Sequence, residues 1–133
     1  VTISGCPTSC GQHHIADIGL HGLARKVDGR PAPFYQLLLG GGIHDGHCRF
    51  GRRVAALPAQ RVPEAVARLL AFFRQERRAE ESFPAFVERK PLNDFRALVE
   101  DLRRLDPAEP ELWRDWGQAE TYVLKVGAGE CAS

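Results

Sequence analysis

Apolar positions along the chain change period several times, and each change marks an element. Val1-Thr2-Ile3-Ser4 has strand-forming residues and runs into Gly5-Cys6-Pro7-Thr8-Ser9-Cys10-Gly11, where glycine and proline predict a tight loop. From Ile15 to Lys26 apolar residues alternate loosely with small and polar ones. Asp28-Gly29 then offers a two-residue turn before Phe34-Tyr35-Gln36-Leu37-Leu38-Leu39, so a β-hairpin is predicted. Gly40-Gly41-Gly42 ends its second strand, and the stretch onward to Gly51 has little apolar period and is expected to be a loop. Arg52–Leu57 suits another short strand.

Beyond Pro63, placed well for a first helical turn, the period lengthens to three and four residues. Val62, Val66, Leu69, Leu70 and Phe73 are expected to form the buried stripe of a helix. Ser82 is expected to cap a short helix through Arg89 that buries Phe83, Phe86 and Val87. Asn93 is expected to cap a third, with Phe95, Leu98, Val99, Leu102 and Leu105 inward and Pro107 and Pro110 ending it. Thr121–Val126 reads as a closing strand. Strands, then about three helices, then a strand predict an α+β domain with a mixed or antiparallel sheet, formed by the N-terminal strands and the closing one.

Composition narrows the classes. A chain of 133 residues fits one domain, 1–133, burying roughly two thirds of its unfolded surface. Lys and Arg total 18 against 17 Asp and Glu, a net charge of +1, so no electrostatic case exists for nucleic acid or an anionic membrane. No apolar run reaches the roughly 20 residues of a membrane-spanning helix. The chain starts at Val1 and has no Met, which predicts a processed product or a piece of a longer protein. Cysteines and histidines are uneven: Cys6, Cys10, Cys48 and all five histidines lie in the first 48 residues, and Cys131 lies alone. Four cysteines are too few for a disulfide-held scaffold, so a reduced, cytoplasmic protein with a soft-metal site is expected.

A C-x3-C pair alone is weak, because thiolates serve zinc, cuprous copper and iron–sulfur clusters alike. Its surroundings are more specific. Ser4-Gly5-Cys6-Pro7-Thr8-Ser9-Cys10-Gly11-Gln12-His13-His14-Ile15-Ala16-Asp17-Ile18-Gly19-Leu20-His21-Gly22 closely resembles the second cysteine segment of the sirohaem-containing nitrite and sulfite reductase family. The resemblance continues through Tyr35–Gly41, Leu57-Pro58-Ala59 and Glu81-Ser82-Phe83 to Gly129-Glu130-Cys131-Ala132. Thr8 stands where the family usually has Asn, a departure that removes no ligand.

This resemblance implies the C-terminal sirohaem and 4Fe-4S domain of an assimilatory reductase that takes nitrite to ammonia or sulfite to sulfide with six electrons. Cys6 would ligate the 4Fe-4S cluster, and Cys10 would both ligate it and bridge to the sirohaem iron. Backbone N–H groups across Thr8–Gly11 would tune the cluster sulfurs. The other cysteine pair and the cationic residues around the anion belong to the upstream half of such a reductase. That half and an electron donor, a ferredoxin or a flavoprotein, are therefore the implied partners. With half the ligands, the isolated piece is expected to lack sirohaem and an intact cluster and to be inactive. A cobalamin-pathway oxygenase branch shares the same architecture.

Other readings are set beside these. His13, His14 and the His44-x2-His47-Cys48 group permit a noncatalytic zinc or interaction module. The blander expectation is that His44 and His47 are solvated, His21 packs on its strand, and Cys48 and Cys131 are small hydrophobes or thiols without a ligand role. Gly40–Gly42 lacks the context of a phosphate loop and reads as a turn. The arginines from Arg68 to Arg78, interleaved with Glu76, Glu80 and Glu81, suit a solvated helix face better than a docking site for an acidic ferredoxin. Trp113 and Trp116 are expected to anchor a C-terminal turn to the core.

Overall fold

The computed structural model describes residues 1–6 and 8–124. Four strands form a mixed sheet in the order β1 (Thr2–Ser4), β2 (Ile18–Val27), β3 (Arg30–Leu39) and, last, the strand Arg52–Pro58. Between β3 and that strand lie β4 (Gly42–His44) and β5 (His47–Arg49), a separate hairpin, so Arg52–Pro58 is β6. Strand β1 runs parallel to β2, whereas β2–β3 and β3–β6 are antiparallel. Three helices follow: α1 (Val62–Glu76), α2 (Phe83–Arg89) and α3 (Leu92–Val99). This is the α+β class expected.

Strands β2 and β3 pair along ten residues each, joined at Asp28 and Gly29 with φ of 51° and 76°. Positive φ at both turn residues matches the twist of the flanking strands, as the Asp-Gly pair predicts. Asp45-Gly46 does the same, with φ of 50° and 76°, for β4 and β5. The stretch expected to be a loop is therefore a short hairpin. Its turn signal is present, but its strands carry His and Arg rather than an apolar alternation.

Alternate residues of the sheet build the core. Ile18, Leu20, Leu37, Leu39, Ala55 and Leu57 pack with Val62, Ala65, Leu69, Phe86, Phe95 and Val99 of the helices. Residues of opposite parity, Ala32, Phe34 and Ala56, join Trp113 in a second cluster. Phe86 sits among Phe72, Phe73 and Phe95, with ring centroids 5.3 to 5.8 Å away in edge-on geometry.

Some details depart from expectation. Leu70 is exposed on α1, because Ala65 and Phe72 occupy the inner stripe with Val62 and Leu69. Ser82 caps α2 by accepting from the Ala85 N–H at 3.4 Å. Asn93 does not cap α3: the helix begins at Leu92 after extended Pro91, and Asn93 accepts from Arg96 instead. α3 ends at Val99, and Leu102 is buried from a 3₁₀ turn. The closing strand is not formed over Thr121–Leu124, where the Tyr122 N–H donates to the Trp113 carbonyl at 2.7 Å rather than to a ladder; Lys125 and Val126 lie outside the described residues. Between Leu37 and Leu38 the β3–β6 register shifts, and Arg96 from α3 donates to the Arg53 and Val54 carbonyls at that irregularity.

Phe86→Ala is predicted to cost about 3–5 kcal/mol, seen as a large fall in the urea midpoint, because it opens a cavity at the helix–sheet seam. Phe50→Ala, at a residue 70% exposed, is predicted to stay within about 0.5 kcal/mol.

Candidate functional site

The loop between β1 and β2 is held at both ends. At its end, the Gly11 N–H donates to Ser4 Oγ at 3.0 Å, tying the loop back to β1. At its start, Gly5 passes over Gly22 of β2, and a Cβ at position 22 would overlap the Gly5 carbonyl oxygen. Beyond the loop a 3₁₀ turn, His13–Ile15, rests on Gly19, where a Cβ would overlap the His13 carbonyl. Gly19 and Gly22 have opposite parity on β2, so the segment touches both faces of that strand. The Gly51 N–H donates to the His14 carbonyl at 2.7 Å and the Gly41 N–H to the Ala16 carbonyl at 3.1 Å, fastening the same segment to the residues just before β6 and just after β3.

Within this frame Cys10 lies on the turn Ser9–Gln12, closed by the Gln12 N–H donating to the Ser9 carbonyl at 2.8 Å. Ser9 and Gln12 take φ of 66° and 56°, a left-handed conformation unusual outside glycine, and the enclosing contacts hold it. The turn leaves Cys10 exposed. Cys6 is half-buried, with its Sγ 3.0 Å from Thr8 Oγ1, so the residue standing in the usual Asn position touches a candidate ligand.

Behind the loop lies a histidine stack. His13 is fully buried, and its ring centroid is 4.1 Å from that of His14 and 4.7 Å from that of His21. Neither nitrogen of His13 has a hydrogen-bond partner. Burial, reinforced by the charges His14 and His21 can carry, holds its pKa below 6.5, so the ring is neutral near neutral pH. The sequence flagged His13 and His14 as possible zinc ligands. Among the described residues no group of three or more His, Cys, Asp or Glu converges to hold a metal ion. His21 packs on its strand as expected, 8% exposed.

The remaining candidates lie elsewhere. His44, His47 and Cys48 are exposed on the β4–β5 hairpin, where His44 pairs with His47 and Cys48 with Ile43. Cys131 lies outside the described residues. Gly40 has φ of 81° and works as a turn residue. Arg68 is an internal fastener, donating to Glu64 and Asp101 and to the Leu98 carbonyl. Trp113 is buried, and Trp116 is exposed on its ring but donates from Nε1 to the Ala59 carbonyl at 2.7 Å.

Sequence reasoning missed two contributors. Ser4 ends β1 with no local signal of its role. Asp115, 80 positions from Tyr35, accepts its hydroxyl at 3.3 Å beside the cysteine loop, a contact that no periodicity reveals.

Known proteins resemble this chain over most of its length. Residues 1–104 match the model of the nitrite and sulphite reductase 4Fe-4S domain; residues 105–133, over which the resemblance was expected to continue, lie beyond that match. An assimilatory ferredoxin-dependent nitrite reductase of Haloferax mediterranei is 38% identical over 85 residues, 64% of this chain and 14% of that protein. A ferredoxin–nitrite reductase of Synechococcus elongatus is 34% identical over 68 residues, 50% of this chain and 13% of the relative. The structure of the Mycobacterium tuberculosis NirA protein superimposes with a TM-score of 0.61 and 29% identity, covering 68% of this chain and 17% of the other. The chain thus spans about one seventh of the length of the first of these relatives.

The buried His13 gives the fold a pH dependence of known sign. Its folded pKa is depressed, so its contribution is present above the unfolded value near 6.5 and is lost as pH falls through the folded value. Urea midpoints are expected to fall between pH 7.5 and pH 5, and His13→Phe is expected to flatten that slope; an equal slope in the variant would mean that other groups carry it.

Proposed function

The chain belongs to the nitrite and sulphite reductase 4Fe-4S domain family, and on that footing we propose that it is the C-terminal cofactor-binding part of an assimilatory, cytoplasmic nitrite reductase. Cys6 and Cys10 would supply two thiolates to a 4Fe-4S cluster, and Cys10 would also serve as a ligand to the sirohaem. The observation that carries this reading is the loop itself: a C-x3-C turn clamped at both ends on a two-sided strand, with Cys10 presented outward. The donor set fits in kind, since soft thiolates suit iron–sulfur ligation, and in number it is half of what such a cluster requires. The other two thiolates come from outside these 133 residues, which makes the upstream half of the same reductase the first partner.

Each residue then has a task. The turn Ser9–Gln12 orients Cys10 away from the sheet, so its sulfur is reached from solvent, where the upstream half docks. Ser4 and Gly22 prevent the loop from relaxing when its thiolates are drawn together. Thr8 Oγ1 lies where it can donate to the Cys6 sulfur, which withdraws charge from a thiolate ligand and tunes it. Bound there, the two cofactors would supply the six one-electron transfers that take nitrite to ammonium. Nitrite is favoured over sulfite, and a ferredoxin over a flavoprotein, because the Haloferax and Synechococcus relatives are ferredoxin-dependent nitrite reductases.

In the intact reductase, Cys10→Ser is expected to lower iron and acid-labile sulfide from about four of each per cluster toward none and to abolish haem–cluster coupling in the electron paramagnetic resonance spectrum. The 133-residue chain alone is expected to hold less than stoichiometric cluster after anaerobic reconstitution. A full complement of iron and sulfide in an intact reductase lacking both Cys6 and Cys10 thiols would overturn the assignment.

A further inference from the structure

The segment after the family match is fastened back onto the family fold at several points. Trp113 is buried in the second apolar cluster, with the Arg30 guanidinium 4.6 Å over its ring. Gln60 Nε2 donates to the Arg114 carbonyl at 3.1 Å, and Trp116 Nε1 donates to the Ala59 carbonyl at 2.7 Å. Asp115 Oδ1 accepts twice, from the Tyr35 hydroxyl at 3.3 Å and from the Trp116 N–H at 2.8 Å. These contacts carry the chain to Tyr122 and Leu124, beside the start of the cysteine loop.

There the segment walls one side of an open cleft of about 300 Å³, bordered by Cys6 and Gly22 on the family side, Tyr35 at the seam, and Asp115, Tyr122 and Leu124 on the other. We propose that residues 105–124 form a strap that walls the Cys6 side of the cysteine loop, with Asp115 as the positioning residue that holds it in place. Burial raises the pKa of both Tyr35 and Tyr122, with the Asp115 charge adding to it. The two thiols are thereby given different environments. Cys6 is half-buried and borders the cleft walled by the strap, while Cys10 is exposed. The shielding stands on geometry alone; its consequence, that a cluster ligated by Cys6 is protected from solvent on this side, rests on the function proposed above.

The test is the rate at which iodoacetamide alkylates Cys6, Cys10 and Cys48 of the folded, metal-free chain, read by fragmentation of the peptides that carry them. In Asp115→Ala both hydrogen bonds to the carboxylate are lost, and the Cys6 rate is expected to rise about tenfold relative to Cys48. Tyr35→Phe, which removes one of the two, is expected to move the ratio in the same direction by less. A rise confined to Cys6, with circular dichroism unchanged, supports the strap. An unchanged Cys6-to-Cys48 ratio in Asp115→Ala overturns it, and if that variant does not fold, an unchanged ratio in Tyr35→Phe does. Because thiol alkylation needs no cluster, failure of the iron–sulfur reading would leave this result standing, and failure here would leave that reading untouched.

Discussion

A carbonyl can lie against a strand only where the strand residue beneath it has no Cβ, and β2 meets that condition at Gly19 and Gly22, one on each face. The cysteine loop depends on this. Gly22 admits Gly5 at the loop's start, and Gly19 admits the turn that carries His13 after its end. Pairing of β2 with β1 on one side and β3 on the other fixes the strand between these contacts. The loop therefore inherits the rigidity of the sheet, and this lets two non-glycine residues, Ser9 and Gln12, hold left-handed backbone around Cys10.

The helices reach the site indirectly. Phe86 and Phe95 fix α2 and α3 against Leu20 and Leu37, and β2 and β3 are thereby buried on the helix side. On the opposite side, Trp113 covers Phe34 and Ala56. A site on an exposed loop gains its order from both layers. Charged groups fasten elements together: Arg68 joins α1 to Asp101, and Arg89 joins α2 to Glu81. The only histidine with no polar partner for a buried ring, among the described residues, is His13, and its neutral form is what the stack behind the loop requires.

Much of this was legible in the residues. Asp28-Gly29 announces the central hairpin, Pro63 and the spacing of Val62 and Leu69 announce α1, and Ser82 announces α2, because these signals are local and need no tertiary context. Legibility failed where tertiary contacts decide. Residues 42–51 form a hairpin whose strands lack an apolar face, Pro91 rather than Asn93 precedes α3, and Thr121–Leu124 takes its hydrogen bond from a turn instead of a sheet. At the site, Cys6 and Cys10 stand out because spacing and flanking glycines are a sequence property. Ser4 and Asp115 do not, because what matters about each is a tertiary contact, Ser4 with Gly11 across the loop and Asp115 with Tyr35 80 positions away.

The central claim is that this clamped loop presents Cys6 and Cys10 as iron ligands in a longer reductase. Iron-edge anomalous diffraction from the intact protein tests it most directly. The account predicts a compact iron cluster with thiolate bonds to both Sγ atoms and a separate iron sharing the sulfur of Cys10. Iron ligated by other residues, with both of these sulfurs unbonded to metal, would contradict it.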